Sequence, residues 1–124
     1  MNSDFNGRRR GGLVRSFAFA IEGIIHAIKF ERNIKIHMVV ALVVVFLGFL
    51  YNISSLEWLL IILAIGGMLS FELMNTAVER VVDLVTSKDH PLAKQAKDIA
   101  AGAVFIYAVM SVVVGGIIFL PKMF

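Results

Sequence analysis

The chain has 124 residues, no cysteine, a formal net charge of +3 and a hydrophobic fraction of 59%. Soluble domains lie near about 45–50% apolar even when Gly is counted; the excess here, with a mean hydropathy of +0.86, indicates a single-domain integral membrane protein. The lack of cysteine excludes disulfides, thiolate nucleophiles and cysteine-based metal sites. The apolar bulk makes the basic residues markers of membrane topology and excludes a nucleic-acid partner.

Residues 1–12 are polar and Gly-rich and carry Arg8, Arg9 and Arg10. They read as a basic mobile tail drawn to anionic headgroups. Residues 13–33 place Phe17, Ile21, Ile24, Ile25 and Ile28 at helical spacing, with Arg15, Glu22, Lys29 and Arg32 between them. This pattern predicts an amphipathic helix lying in the membrane interface. An apolar run that starts only near Ile36 does not fit a cleaved signal peptide.

The first spanning helix is expected over residues 34–51, with Lys35 snorkelling at its start. Residues 52–55 form a turn in which Ser54 or Ser55 caps the next helix, with Glu57 and Trp58 in its first turn. The second span covers residues 56–87. At 1.5 Å per residue it is about 48 Å long, longer than a hydrocarbon core of about 30 Å, so its polar end projects from the membrane. Gly66, Gly67 and Ser70 would let another helix approach closely. A loop of Lys88, Asp89 and His90 precedes Pro91, and the third span covers residues 92–120, ended by Pro121. The fold class is therefore all-α integral membrane, one interfacial helix plus three spans, in residues 13–124. The distribution of Lys and Arg places the N-terminus and the second loop in the cytoplasm and the C-terminus outside the plasma membrane.

Glu72, Asn75, Glu79 and Asp83 are 3, 4 and 4 residues apart, so they fall within about 80° of one another around the helix. An ionisable group such as Glu72, between Phe71 and Leu73, is costly in a membrane without a function or a partner. Carboxylates and an amide are hard oxygen ligands suited to magnesium, and a carboxylate off the metal can serve as a general base. Beside a lipid surface, this combination points to phosphoryl transfer to a lipid hydroxyl. Lys94 and Asp98 form an i, i+4 pair. Lys97 is placed to neutralise nucleotide phosphates.

The run Glu72-Leu73-Met74-Asn75-Thr76-Ala77-Val78-Glu79-Arg80-Val81-Val82-Asp83 resembles the signature of the prokaryotic diacylglycerol kinase family, as does Ala96-Lys97-Asp98-Ile99-Ala100-Ala101-Gly102-Ala103-Val104. Glu31-Arg32-Asn33 with His37, Ile65 to Ser70, and His90 to Lys94 resemble its Gram-positive branch, the undecaprenol kinases. The resemblance implies a homotrimer of three-helix subunits that uses MgATP to phosphorylate a membrane lipid at sites shared between subunits. By position it implies Glu72 as general base, Asn75 beside the reacting groups, and Glu31 and Glu79 as metal ligands. Lys97 and Asp98 would contact the nucleotide, with Lys88, Asp89 and His90 nearby. Arg15 and Phe19 match the N-terminal nucleotide-binding region. The expected product is undecaprenyl phosphate, with diacylglycerol as the alternative substrate. A channel subunit would give ion flux without ATP, and a membrane adaptor would show no ATP turnover; neither accounts for the ordered motifs.

Overall fold

A computed structural model describes residues 12–124. The basic tail expected over residues 1–12 lies outside them, apart from Gly12. The described residues form four helices: α1 Gly12–Phe30, α2 Arg32–Leu50, α3 Ser55–Val85 and α4 Pro91–Met123. Three of them, α2, α3 and α4, are long and apolar enough to cross a membrane. The amphipathic α1 stands outside that set. Its Phe17 and Ile21 remain exposed, which leaves an apolar stripe with no cover from the described residues and suits a helix lying on lipid.

Several boundaries differ from the sequence reading. The expected 13–33 helix stops at Phe30, because Glu31 is extended (φ −105°, ψ 118°) and serves as N-cap of α2. The first span thus begins at Arg32 and ends at Leu50 instead of covering 34–51. The second runs over Ser55–Val85 instead of 56–87, since Thr86 turns extended (φ −148°, ψ 134°) at its C-cap. The third spans Pro91–Met123 instead of 92–120: Pro121 lies inside the helix and does not end it. A proline removes one N–H from the ladder, and here the loss falls in the last turn. Phe124 N–H still donates to Leu120 O at 3.2 Å, and Lys122 Nζ donates to Ile118 O at 3.2 Å.

The α2–α3 turn is fixed by local chemistry. Asn52 has φ +54°, a left-handed conformation that Asn tolerates better than most residues. Ile53 N–H donates to Gly48 O at 3.2 Å and Asn52 N–H to Phe49 O at 3.3 Å, the paired bonds of a Schellman ending. Ser54 then opens α3 with a capping box. Its Oγ accepts from Glu57 N–H at 3.2 Å and its N–H donates to Glu57 Oε1 at 3.0 Å. Lys122 Nζ donates to the other carboxylate oxygen of Glu57 at 2.8 Å, tying the end of α4 to the start of α3. The buried core of Ile53, Ile61, Ile118 and Phe119 sits at this end, flanked by Leu47, Tyr51 and Trp58. All the candidate site residues lie away from it, toward the α3–α4 loop.

The α3–α4 contact is close because of Gly67. A Cβ there would overlap the Tyr107 phenol, whose hydroxyl donates to Leu63 O at 2.9 Å. The small-residue patch expected to receive another helix is therefore divided. Gly67 receives α4 of the same chain, whereas a Cβ on Gly66 would meet nothing within 4 Å.

Candidate active site

The polar stripe of α3 becomes more exposed toward the loop. Glu72 is 3% exposed and Asn75 is 8%; Glu79 is half-buried and Asp83 exposed. Glu72 is thus a carboxylate enclosed by protein within an apolar helix. Its Oε2 lies 3.6 Å from His37 Nε2 on α2, a close approach longer than a hydrogen bond. One turn on, Asn75 Nδ2 donates to Glu79 Oε1 at 3.3 Å. The amide's own oxygen, Asn75 Oδ1, is buried and has no hydrogen-bond partner. An orphaned oxygen beside a carboxylate is a donor set that fits magnesium. Among the described residues, no three His, Asp or Glu side chains gather in one place to hold a metal ion. Magnesium does not require this, since it takes one or two protein carboxylates and completes its shell with water and phosphate.

Glu31 reaches the site from another element. It occupies the N-cap of α2, but its side chain makes no capping bond. Instead Glu31 Oε1 accepts from Arg80 Nη2 on α3 at 2.8 Å. Arg80 Nη1 in turn lies 3.5 Å from His26 Nε2 on α1. In the sequence, His26 lacks a matching ligand pair and Arg80 stands out only by its place next to Glu79; the pairing of Arg80 with Glu31 across 49 residues has no periodicity to reveal it.

At the loop end, Lys97 Nζ donates to Asp83 Oδ1 at 2.7 Å, so the α4 lysine is held by the last member of the α3 stripe. Lys94 and Asp98 pair at 2.6 Å. Lys88, Asp89 and His90 line a cleft of about 750 Å³ with Asp83, Lys94 and Lys97. One nitrogen of His90 is committed to the fold, since Nδ1 accepts from Leu92 N–H at 3.1 Å and caps α4. Arg15 and Phe19 lie on α1 and do not line this cleft; nor does Asp98. A second cavity of about 240 Å³ lies between α2, α3 and α4. His37 is on its wall, with Ala41, Ala64, Met68 and Gly115 among the apolar and small residues around it. His37 therefore touches both the enclosed carboxylate and an apolar trench at membrane depth.

A buried carboxylate, an amide–carboxylate pair and a lysine-lined cleft along one membrane helix form the setting for phosphoryl transfer at a lipid surface. The family model for prokaryotic diacylglycerol kinase matches residues 18–119. The chain belongs to the prokaryotic diacylglycerol kinase family. Membership makes it an ATP-dependent membrane lipid kinase, in a family that uses MgATP. Among its relatives within the family, the undecaprenol kinase of Bacillus subtilis is 52% identical over 88% of this chain and 89% of the relative. A diacylglycerol kinase of Synechocystis is 38% identical over 90% of this chain and 64% of the relative. One from Haemophilus influenzae is 32% identical over 86% and 92% of the two chains.

Proposed function

We propose that this kinase transfers the γ-phosphate of MgATP to the hydroxyl of undecaprenol, at the cytoplasmic boundary of the plasma membrane. The N-terminus and the α3–α4 loop face the cytoplasm, the C-terminus lies outside, and three copies assemble with shared active sites. The observation that carries the reading is Glu72: a carboxylate 3% exposed in an apolar helix, 3.6 Å from a histidine that also lines the apolar trench. A lipid hydroxyl that arrives there keeps its tail in an apolar setting and meets a base.

The chemistry follows from this arrangement. Glu72 takes the proton of the lipid hydroxyl as its oxygen bonds to the γ-phosphorus. The bond from that phosphorus to the β–γ bridging oxygen breaks and ADP leaves. The cleft at the α3–α4 loop receives the nucleotide, with Lys97 contacting it inside the cleft, Asp98 meeting it beyond the cleft's rim, and Lys88, Asp89 and His90 beside it. Along α3, Asp83 is 11 residues from Glu72, about 16 Å on a helix axis. In the shared site the triphosphate of a nucleotide in one subunit's cleft points to the base of a neighbour. Glu79 and Glu31 would hold magnesium, with Asn75 donating to Glu79 beside them. When bound, the ion screens the phosphate charge and the charge that develops on the leaving oxygens.

The preference for undecaprenol is supported by the 52% identity to a relative of that name. Diacylglycerol is the second reading, favoured by relatives named diacylglycerol kinase at 38% and 32% identity. The test is an assay with radiolabelled ATP and both lipids in the same detergent micelle. Label is expected mainly in undecaprenyl phosphate. Label mainly in phosphatidic acid would replace the first reading with the second.

A further inference from the structure

We propose that Arg80 is a positioning residue that pins the Glu31 carboxylate to α3, in the place from which Glu31 ligates the cation of MgATP. The proposal rests on the reading of Glu31 as a metal ligand.

Glu31 stands at the break between α1 and α2, with extended backbone and no side-chain capping bond. Nothing local orients its carboxylate. A glutamate with several free torsions loses entropy when it is fixed for a metal, and a site gains affinity when that cost is met beforehand. Arg80 supplies the hold. Its Nη2 takes one carboxylate oxygen of Glu31 at 2.8 Å, and the other oxygen makes no bond to Arg80. Nη1 faces His26 Nε2 at 3.5 Å. One planar guanidinium thus spans α1, the α1–α2 break and α3, which a lysine ammonium cannot do from a single point. Arg80 follows Glu79 directly in the chain, so the hold brings Glu31 to the part of α3 that carries the second proposed ligand. The Glu31 side chain is 25% exposed, which leaves it accessible to a ligand.

Arginine's positive charge also acts in the opposite sense, by repelling a cation. The sign of the effect separates positioning from competition. The experiment titrates Mn²⁺, followed by electron paramagnetic resonance, into the purified full chain in detergent with ATP present. Wild type is compared with Glu31→Gln, Arg80→Ala, Arg80→Lys and the double variant Glu31→Gln/Arg80→Ala. Glu31→Gln is expected to weaken Mn²⁺ binding clearly. Arg80→Ala should weaken it about three- to fivefold, the scale of a partly exposed ion pair, with Arg80→Lys between it and wild type. The double variant should bind as Glu31→Gln alone does, because Arg80 acts only through Glu31. Loss of fold alone would lower the number of sites and leave the affinity of the remaining ones unchanged.

Wild-type or tighter binding by Arg80→Ala, together with weak binding by Glu31→Gln, would overturn the proposal and leave Glu31 as a ligand. Additive losses in the double variant would overturn it too, by showing that Arg80 acts on another group. Wild-type binding by Glu31→Gln would remove the ligand assignment itself, and the role of Arg80 with it.

Discussion

Glu72 and Glu79 lie two turns apart on one helix face, in different surroundings, and different work is proposed for each. Glu72 is enclosed, and its close neighbour is an imidazole. Glu79 is half-buried and accepts a bond from Asn75. Replacing Glu72 by Gln keeps the shape and removes the proposed base. Turnover should fall by at least about 100-fold, the lower end of what a positioned base contributes, while MgATP binding stays near wild type. Equilibrium binding of a fluorescent ATP analogue beside a turnover assay checks both halves. Normal turnover by Glu72→Gln in a defined lipid mixture would end its role as base. Glu79→Gln should act on the metal instead, raising the magnesium concentration needed for half-maximal rate by about tenfold, as loss of one metal-binding group can do. An unchanged magnesium profile would count against ligation.

At the scale of helices, the close passage of α3 and α4 depends on one missing side chain. Gly67→Ala should force Tyr107 aside and break its bond to Leu63 O. The cost is about 1–3 kcal/mol from overpacking, partly overlapping with about 1 kcal/mol from the hydrogen bond. Gly66→Ala, one residue away with open space around its Cβ position, should leave the fold of a single chain unmoved. Thermal unfolding of the two variants in one detergent tests the contrast; equal melting temperatures would refute it. Much of the fold was legible in the sequence because the signals are local. Ser54 with Glu57 marks a helix start, Pro91 marks another, and the spacing of Glu72, Asn75, Glu79 and Asp83 defines a face without any tertiary knowledge. The contacts that close the molecule are not local. Lys122 with Glu57, Tyr107 with Leu63 and Arg80 with Glu31 join residues 65, 44 and 49 positions apart, and no periodicity encodes such pairings. The Glu31 break was hidden for another reason: Glu31-Arg32-Asn33 holds no Pro or Gly to mark it, and only backbone torsion reveals the change of direction. Pro121 costs the last turn of α4 one N–H without ending the helix, and the sequence alone does not show that tolerance.

The whole chain leaves large apolar side chains uncovered on every spanning helix. Leu42 is 68% exposed, Ile62 61% and Ile117 70%. In water such surface would drive aggregation; in a bilayer, lipid tails would cover it, together with neighbouring subunits in the proposed trimer. The proposed trimer must close as a ring, so that each subunit offers one face and receives a different one. In a single chain, Arg15 and Phe19 of α1 do not line the loop cleft, as expected if α1 serves a neighbour's nucleotide. Sharing of sites can be tested by co-expressing two variants that are each inactive alone. Suppose Glu72 and Lys97 of one site come from different subunits. Random mixing of Glu72→Gln with Lys97→Ala chains then leaves about a quarter of sites with both native residues, and activity should return to about that level. The pair Glu72→Gln and Glu79→Gln, assayed at a magnesium concentration too low for Glu79→Gln to turn over, is the control. Both residues lie on the same face of one α3, so the proposed site takes them from one chain, and mixing should restore nothing. Recovery with the first pair alone requires that sites cross subunit boundaries. Absence of recovery with both pairs, in oligomers shown by native mass spectrometry to be mixed, would place Glu72 and Lys97 of each site in one chain.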